Sequence, residues 1–378
     1  MKVNTVCIHG NNKKTDATGA ITYPIYQTAT FAHLGVGEST GYDYTRTQNP
    51  TRQQLEDTIA LLEKGVGAIA CATGMAAITA VMELFRPGDH IVISDDLYGG
   101  TYRSFHTINE KNGVLFTAVN TSNLSEIEKV ITENTKAVYI ETPSNPMMQV
   151  TDIAAVAKLA KQHDLLLIVD NTFLTPYLQR PIELGANIVV HSGTKYLCGH
   201  NDTLAGFIIV DSEELKERLR MIYNTTGACL APMDSWLLMR GIKTLGIRID
   251  RQQENARKIA IWLQKQSFVK EVYYIGLPEH ASFDLSKRQA DGFGAMISFR
   301  VDSLERVIQI LEHVKIIQFA ESLGGVESLI TYPMVQTHAA IPEDIRRAKG
   351  IDEYLLRLSV GIEDVEDLIG DLQQAALK

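Results

Sequence analysis

Between about residues 50 and 235, short β-branched runs alternate with segments of helical period, and this alternation constrains the fold more than any other feature of the sequence. It is typical of parallel strands joined by crossover helices. Several of the runs are apolar throughout, as expected for strands buried on both faces of a sheet. Strands are predicted at residues 68–72, 90–94, 137–141, 165–170, 188–191 and 205–210. The sequence therefore predicts an α/β domain with a mostly parallel central sheet and flanking helices.

The sequence changes character on either side of this region. Beyond it, the pattern predicts a long helix at 234–264, strands near Val272 and at 295–301, a helix at 303–313 and a final strand–helix pair at 355–377. This mixture indicates a smaller C-terminal α+β domain. The first 45 residues are rich in Thr, Gly and Tyr with little periodicity, which predicts an extended arm lying on a partner subunit. We therefore divide the chain into an arm (1–48), an α/β domain (49–235) and an α+β domain (236–378).

Charge and cysteine usage argue against several classes of protein. The chain has 36 Lys and Arg against 45 Asp and Glu, a net charge of −9, and no basic run suited to a phosphate backbone, so nucleic acid is not expected as a partner. Its 4 cysteines lack CxxC spacing, which argues against a disulfide framework or a structural zinc site. Cys198 and His200 are two potential ligands without a third, so no metal is expected.

Neither a targeting segment nor a membrane span is predicted. Residues 1–10 lack the charged start and apolar segment of a signal peptide. The most apolar stretch, 68–82, is too short to cross a bilayer and contains Thr and Gly, so a buried strand followed by a buried helix explains it better. We therefore expect a cytoplasmic protein without membrane contact.

Polar side chains follow the predicted strands, and in open α/β sheets ligands bind beyond the carboxyl ends of the strands. Lys195 follows a buried strand, where its amine can lose a proton and attack an aldehyde, and Ser192 and Thr194 place hydroxyls beside it for a phosphate. Asp170 ends an apolar run, so its partly buried carboxylate requires a partner such as a protonated ring nitrogen. The alternatives are a lysine that leaves its strand for solvent and an aspartate that serves a turn or helix cap.

Two further segments complete a candidate cofactor site. Gly74 and Met75 lie between a strand and an apolar helix, where free amides and the helix dipole favour anions. Tyr98 precedes two glycines and can stack on a ring, although a packing glycine and a turn tyrosine are the alternatives for these segments. Pyridoxal phosphate requires a lysine amine, an acid for the ring nitrogen, an aromatic face and a phosphate cup. The sequence offers a candidate for each.

Taken together, these segments resemble the trans-sulfuration, or Cys/Met-metabolism, family of pyridoxal-phosphate enzymes. The family includes cystathionine γ-synthase, cystathionine γ-lyase, cystathionine β-lyase and methionine γ-lyase. The similar motifs are YTR at 44–46, NPTR at 49–52, TGMAA at 73–77, DLYGGT at 96–101, ETPSNP at 141–146, VDNT at 169–172, SGTK at 192–195, AESLGGVES at 320–328 and LRLSVG at 356–361. They run in order over nearly the whole chain.

The resemblance implies a fold-type I subunit in a homotetramer of two tight dimers with shared active sites. It implies that Lys195 bonds the cofactor covalently and moves the substrate's protons, with Tyr98 stacking on the ring and assisting. The other implied cofactor contacts are Asp170 at the ring nitrogen, Gly74, Met75, Ser192 and Thr194 at the phosphate, and Tyr44 and Arg46 reaching the neighbouring subunit's phosphate. Arg357 would hold the substrate carboxylate together with Asn145 and Ser322.

The resemblance separates the reactions of the family less sharply. Glu321 is similar to the γ-acting members, and its carboxylate would attract the distal ammonium of cysteine or cystathionine. Asp43, from the neighbouring chain, would act likewise and is nearer to the synthase pattern than to the usual lyase glutamate. Methionine γ-lyases typically carry cysteine where this chain has Gly100, which argues against cleavage of methionine. We therefore expect cystathionine γ-synthase activity, joining an O-acylhomoserine to cysteine, with γ-lyase as the first alternative and β-lyase as the second.

The sequence argues against two other classes of protein. A nucleotide-binding oxidoreductase requires GxGxxG after an early strand, and Gly35, Gly37 and Gly41 have neither that spacing nor a strand before them. A non-catalytic protein on the same fold would be expected to lose Lys195, Asp170 or Arg357, and all three are present. The chain departs from the usual family pattern at two positions that follow the lysine, Cys198 and Asn201.

Overall fold

The computed structural model describes residues 1–11, 18–339 and 341–377. The apolar runs of its first half form a seven-stranded sheet in the order β1-β7-β6-β5-β4-β2-β3. The strands are β1 Gly67–Cys71, β2 His90–Ser94, β3 Leu115–Val119, β4 Thr135–Glu141, β5 Leu166–Asp170, β6 Ile188–Ser192 and β7 Gly206–Val210. Strands β3, β2, β4, β5 and β6 are parallel, whereas β7 is antiparallel to both of its neighbours. The predicted mostly parallel sheet is confirmed.

The predicted strands lie within two residues of the observed bounds, and the strand at 90–94 is predicted to the residue. The strand of this sheet that the sequence analysis missed is β3, which lies at the edge, and the short strands at Gln318–Phe319 and Leu329–Thr331 in the C-terminal half were also not predicted. The β3 sequence LFTAV is apolar at four of five positions, although most of its residues are exposed or half-buried. A short apolar run of this kind does not by itself distinguish a strand from other structure, so the sequence pattern alone did not identify β3.

Helices flank this sheet and continue into the C-terminal half. They are α1 Val3–His9, α2 Pro50–Glu63, α3 Gly74–Met82, α4 Gly99–Ser104, α5 Leu124–Lys129, α6 Ile153–Gln162, α7 Thr175–Leu178, α8 Glu213–Thr226, α9 Pro232–Ile242, α10 Leu245–Leu263, α11 Phe283–Gln289, α12 Leu304–His313, α13 Glu343–Ala348 and α14 Val365–Ala376. A π-helical turn at Phe105–Asn109 extends α4, and a 3-10 turn lies at Pro181–Leu184. None of the helices in the described part of the chain is long and apolar enough to span a membrane.

A second sheet of five strands lies in the C-terminal half, in the order β10-β11-β12-β9-β8. Its strands are β8 Val269–Tyr273, β9 Met296–Val301, β10 Gln318–Phe319, β11 Leu329–Thr331 and β12 Leu355–Ser359. The single long helix predicted at 234–264 is wrong in one respect, because the structure divides it into α9 and α10 at residues 243 and 244. The strands and helices predicted beyond it are present.

The N-terminal segment is not uniformly extended. Helix α1 packs against α2 and α10, and the sequence analysis did not predict it. Residues 18–48 then run as turns and isolated bridges, one of which pairs Thr30 with Tyr44. Large apolar side chains of this segment lie open to solvent in the single chain, with Ile21 96% and Leu34 75% exposed. The contact of this segment with a partner subunit stays a prediction.

Candidate functional site

A cavity of about 350 Å³ lies beyond the carboxyl ends of β1, β4, β5 and β6, where β12 and residues 321–323 close its far wall. All but three of the predicted site residues line it. They are Gly74, Met75, Tyr98, Asn145, Asp170, Ser192, Thr194, Lys195, Glu321, Ser322 and Arg357. Residues far apart in sequence meet here because the parallel strands deliver their last side chains to one edge of the sheet.

Lys195 faces this cavity and does not leave its strand for solvent. Its Nζ donates a hydrogen bond to Ser322 Oγ at 3.0 Å. Burial, with a smaller contribution from Arg357, lowers the pKa of the amine to about 8, while Glu321 acts in the opposite direction. A lowered pKa supplies the neutral amine that nucleophilic attack requires near neutral pH.

Asp170 ends β5 with one carboxylate oxygen engaged and one open. Oδ1 accepts hydrogen bonds from Thr172 N at 3.0 Å and Thr172 Oγ1 at 2.6 Å. No described residue donates to Oδ2. Burial raises the pKa of this carboxyl, and the Thr172 hydrogen bonds together with nearby His191 oppose the rise. The open oxygen is therefore an acceptor available to a ligand in the cavity.

The N-terminus of α3 forms an anion site at one end of the cavity. Thr73 caps the helix by accepting a hydrogen bond from Ala76 N at 2.9 Å. Gly74 and Met75 open the helix, so their N–H groups have no intrahelical acceptor. A Cβ at Gly74 would lie 3.0 Å from Ser192 Cβ, so the glycine permits the close approach of the two segments. Thr194 Oγ1, by contrast, already exchanges hydrogen bonds with the Ala205 main chain.

Tyr98 lies at the mouth of the cavity with 40% of its surface exposed. Its main-chain N–H donates to Glu141 Oε2 at 2.8 Å. A Cβ at Gly100 would lie 2.4 Å from the Tyr98 ring, so any side chain at that position would displace the ring. Gly100, the position at which methionine γ-lyases typically carry cysteine, therefore permits the observed position of the Tyr98 ring.

Arg357 is buried on β12 and has no carboxylate partner among the described residues. Its terminal nitrogens donate to Asn145 Oδ1 at 2.8 Å, Ser322 O at 3.1 Å and Thr331 Oγ1 at 3.2 Å, and its Nε has no acceptor. Burial lowers the pKa of the guanidinium to about 10. A buried cation without an anion is costly, so this site is suited to a carboxylate ligand.

The remaining three predicted residues lie outside the chain's own cavity, on the N-terminal segment. Arg46 donates to Asn224 O, and its guanidinium lies 5.7 Å from the centroid of the Tyr44 ring. Asp43 accepts from Ser39 Oγ and lies 3.3 Å from His33 Nε2. The single chain thus does not bring this group to the cavity, and its role in a neighbouring subunit stays a prediction.

The structure adds lining residues to which the sequence analysis gave no role, chiefly Glu141, Thr172 and Thr337. The signal for Glu141 was present, because it ends the apolar run of β4 as Asp170 ends that of β5. Thr337 comes from an irregular segment that no periodicity announces. Metal chemistry has no candidate in the described residues, since nowhere do three His, Cys, Asp or Glu side chains gather in a group that could hold an ion.

The cavity fits pyridoxal phosphate on the evidence of these groups. It offers a lysine amine with a lowered pKa, a carboxylate with one open oxygen, an exposed aromatic ring and free main-chain N–H groups at a helix start. Each matches one requirement of the cofactor: the aldehyde, the ring nitrogen, the ring face and the phosphate.

Comparison with known proteins defines the class. The chain belongs to the Cys/Met metabolism PLP-dependent enzyme family, which matches residues 4–377. It is therefore a pyridoxal-phosphate-dependent enzyme of C–S bond chemistry that acts on amino acids.

Within the family, relatives with three different activities are similar to this chain. It is 51% identical over 375 residues to cystathionine gamma-lyase of Bacillus subtilis, with 99% of each chain covered. It is 50% identical over 374 residues to cystathionine gamma-synthase of Haemophilus influenzae, covering 99% of this chain and 97% of that one. It is 47% identical over 376 residues to cystathionine beta-lyase of Lactococcus lactis subsp. cremoris (strain MG1363), covering 100% and 99%.

Solved structures superpose closely over the whole chain. Cystathionine gamma-lyase from Lactobacillus plantarum, complexed with L-serine, matches with a TM-score of 0.96 at 46% identity, covering 99% of this chain and 98% of that one. Cystathionine gamma synthase from Xanthomonas oryzae pv. oryzae, in complex with aminoacrylate and cysteine, matches with a TM-score of 0.97 at 39% identity, covering 100% and 98%. The fold is thus common to a cystathionine gamma-lyase and a cystathionine gamma synthase.

Proposed function

We propose that this enzyme acts at the Cγ–S bond of cystathionine, and that it works as a cystathionine γ-synthase joining an O-acylhomoserine to cysteine. One observation carries the proposal: Arg357 and Glu321 line the same cavity and act on the same Lys195 amine with opposite charge. An amino acid with a carboxylate at one end and an ammonium at the other complements that pair.

Each residue has a task that follows from its contacts. Bound pyridoxal phosphate supplies an electron-withdrawing ring that stabilises negative charge at the substrate's Cα. Asp170 Oδ2 would accept a hydrogen bond from the protonated ring nitrogen. The N–H groups of Gly74 and Met75 would hold the phosphate with the Ser192 hydroxyl, and with the Thr194 hydroxyl once it turns from Ala205 O. Arg357 holds the α-carboxylate, and Asn145 and Ser322 fix its guanidinium by the hydrogen bonds described above.

Proton movement falls to Lys195 and Tyr98. With a pKa of about 8, the Lys195 amine can both accept and return a proton near neutral pH, as removal at Cα and transfer at Cβ require. Its hydrogen bond to Ser322 Oγ directs Nζ into the cavity. The Tyr98 hydroxyl, at the half-exposed mouth, is placed to pass a proton to the departing γ-substituent.

We prefer synthesis over elimination because the aspartate at position 43 is nearer to the synthase pattern than to the lyase pattern. The 50% identical synthase relative supports the same choice. Cystathionine γ-lyase is the second candidate, favoured by the 51% identical Bacillus relative. β-Elimination ranks third, although a 47% identical relative carries that activity, because Glu321 is similar to the γ-acting members.

The cavity is proposed to be completed by a second copy of the chain, within a homotetramer of two tight dimers. Tyr44 and Arg46 lie on a segment whose apolar side chains are open to solvent in the single chain. A partner that covers this surface would carry the Tyr44 phenol and the Arg46 guanidinium to its own phosphate site. Asp43 would travel with them to the distal end of the substrate.

A substrate panel tests the activity. The purified holoenzyme is supplied with O-acetyl-, O-succinyl- or O-phosphohomoserine together with cysteine, and separately with cystathionine alone, while cystathionine, 2-oxobutanoate and pyruvate are measured. Cystathionine formation is expected to exceed the other rates. Rapid 2-oxobutanoate release from cystathionine, without net synthesis, would instead assign the γ-lyase reaction. Pyruvate as the sole keto acid from cystathionine would reject γ-type chemistry altogether.

A further inference from the structure

Glu141 and Asp170 end neighbouring parallel strands, are register partners, and line the same cavity. Strands in a sheet lie about 4.8 Å apart, so the two carboxyl groups start one strand spacing from each other and point to the same side. Both residues are buried, with 6% and 8% of their surfaces exposed. Two carboxylates held this close in a buried site do not ionise together, and one of them keeps a proton.

The hydrogen bonds decide which of the two keeps it. Asp170 Oδ1 receives two donors, the Thr172 N–H and the Thr172 hydroxyl. Glu141 receives one, the Tyr98 N–H on Oε2. Because hydrogen bonds donated to a carboxylate favour its charged form, the negative charge belongs on Asp170 and the proton on Glu141.

The surrounding charges agree with this allocation. The ionisable groups that act on Glu141 are Asp170 on β5, Asp96 after β2 and Arg357 on β12, and Glu141 in turn acts on the Tyr139 phenol of its own strand. Burial, followed by Asp170 and Asp96, raises the pKa of Glu141 well above its ordinary value, and the Tyr98 N–H and Arg357 oppose the rise without cancelling it.

We propose that Glu141 is a positioning residue that stays protonated in the working enzyme, leaving the single negative charge of the pair on Asp170 while it holds the Tyr98 main chain at the cavity mouth. This inference rests on the proposed role of Asp170 at the ring nitrogen. Oε2 accepts the Tyr98 N–H, and the proton resides on Oε1, which has no hydrogen-bond partner among the described residues. A neutral acid thus orients the tyrosine without adding a second charge beside Asp170.

The direct test is infrared difference spectroscopy of the holoenzyme at neutral pH, which detects the C=O stretch of a protonated carboxyl group. The difference between wild type and Glu141→Gln is expected to contain one such band that shifts in D2O. The matched control is Glu279→Gln, at an exposed glutamate, whose difference should contain none. Absence of the band from both the Glu141→Gln and the Asp170→Asn differences would overturn the protonated state of Glu141 and leave the role of Asp170 standing. A band lost only in Asp170→Asn would put the proton on Asp170 and overturn both.

Two further readouts separate this role from ordinary packing. A carboxyl whose folded pKa is raised above its ordinary value of 4.5 loses its contribution to stability as pH rises from that value through the folded pKa. The thermal midpoint of Glu141→Gln is therefore expected to rise relative to wild type as pH increases. Cofactor affinity should fall by about tenfold in Glu141→Ala, which removes the acceptor for the Tyr98 N–H, and should recover in Glu141→Gln. A glutamine variant as weak as the alanine variant, with no relative gain at high pH, would contradict the proposal.

Discussion

Replacement of Arg357 by lysine tests how the cavity binds an amino acid. A guanidinium has five N–H donors, and three of them are engaged by Asn145, Ser322 and Thr331. Two remain for a substrate carboxylate. An ammonium has three donors in all, so lysine cannot satisfy the same acceptors and still bind the substrate. Loss of at least one hydrogen bond to a charged group costs about 1.5–3 kcal/mol, which corresponds to a KM raised roughly 10- to 150-fold.

The assay is steady-state kinetics with the amino-acid substrate varied, with an amine that lacks the α-carboxylate as a comparison ligand. Binding of the comparison ligand, measured by its effect on the cofactor absorbance, should be nearly the same in Arg357→Lys and wild type. The matched control is Arg300→Lys, on the neighbouring strand β9, where the guanidinium pairs with Asp352 outside the cavity. An unchanged KM in Arg357→Lys, or an equal rise in Arg300→Lys, would refute the reasoning.

Three further predictions concern the cofactor groups and the arm. The pKa of Lys195 is lowered to about 8, and only the neutral amine attacks the aldehyde. Covalent attachment of pyridoxal phosphate to the apoenzyme should therefore accelerate about tenfold per pH unit below that value and level off above it. Stopped-flow absorbance measures this rate against pH, and a rate independent of pH would contradict the prediction. Asp170→Asn should weaken cofactor binding roughly 10- to 150-fold, the worth of one charge-assisted hydrogen bond; unchanged affinity in an apoenzyme titration would remove Asp170 from the ring nitrogen. Inactive Tyr44→Ala and Lys195→Ala chains, exchanged into mixed dimers, should regain about a quarter of wild-type activity if each site draws on both subunits; no recovery in the exchanged sample would argue against shared sites.

The elements that could be predicted are those whose local sequence has the apolar pattern expected of a buried strand or helix. Strand β2 is apolar and fully buried, and its bounds follow from the sequence alone. Strand β3 is equally apolar in sequence, yet it pairs only with β2 at the sheet edge and most of its residues are exposed or half-buried, so its apolar residues do not report burial. Helix α1 is only seven residues long and has no side-chain cap, so its local sequence gives little sign of a helix. It packs against α2 and α10, which lie far away in the sequence.

The site residues also differ in how far the local sequence predicts them. Lys195 and Asp170 each follow an apolar run at a strand end, so local sequence is sufficient to single them out. Glu141 follows the same rule, yet its role depends on its register partner across the sheet and on a main-chain N–H from another loop. Neither contact can be inferred from the amino-acid sequence alone. The placement of Tyr44 is harder still, because a single chain does not contain the surface it is proposed to meet.

Buried charged groups of this chain differ in how completely the chain itself satisfies them, and this difference points to the site. Glu56 pairs with Arg220 at 2.8 Å, and the buried Arg248 guanidinium donates to Thr244 Oγ1, Tyr196 O and Gly241 O, so the chain itself satisfies these groups. Arg357 has no carboxylate, Lys195 has only a hydroxyl, and Asp170 keeps one oxygen open. Burial of unpaired charge costs several kcal/mol, which the chain alone does not recover. Because all three open groups face one cavity, the ligands that complete them carry a carboxylate, an aldehyde and a protonated nitrogen, the combination that an amino acid and pyridoxal phosphate provide together.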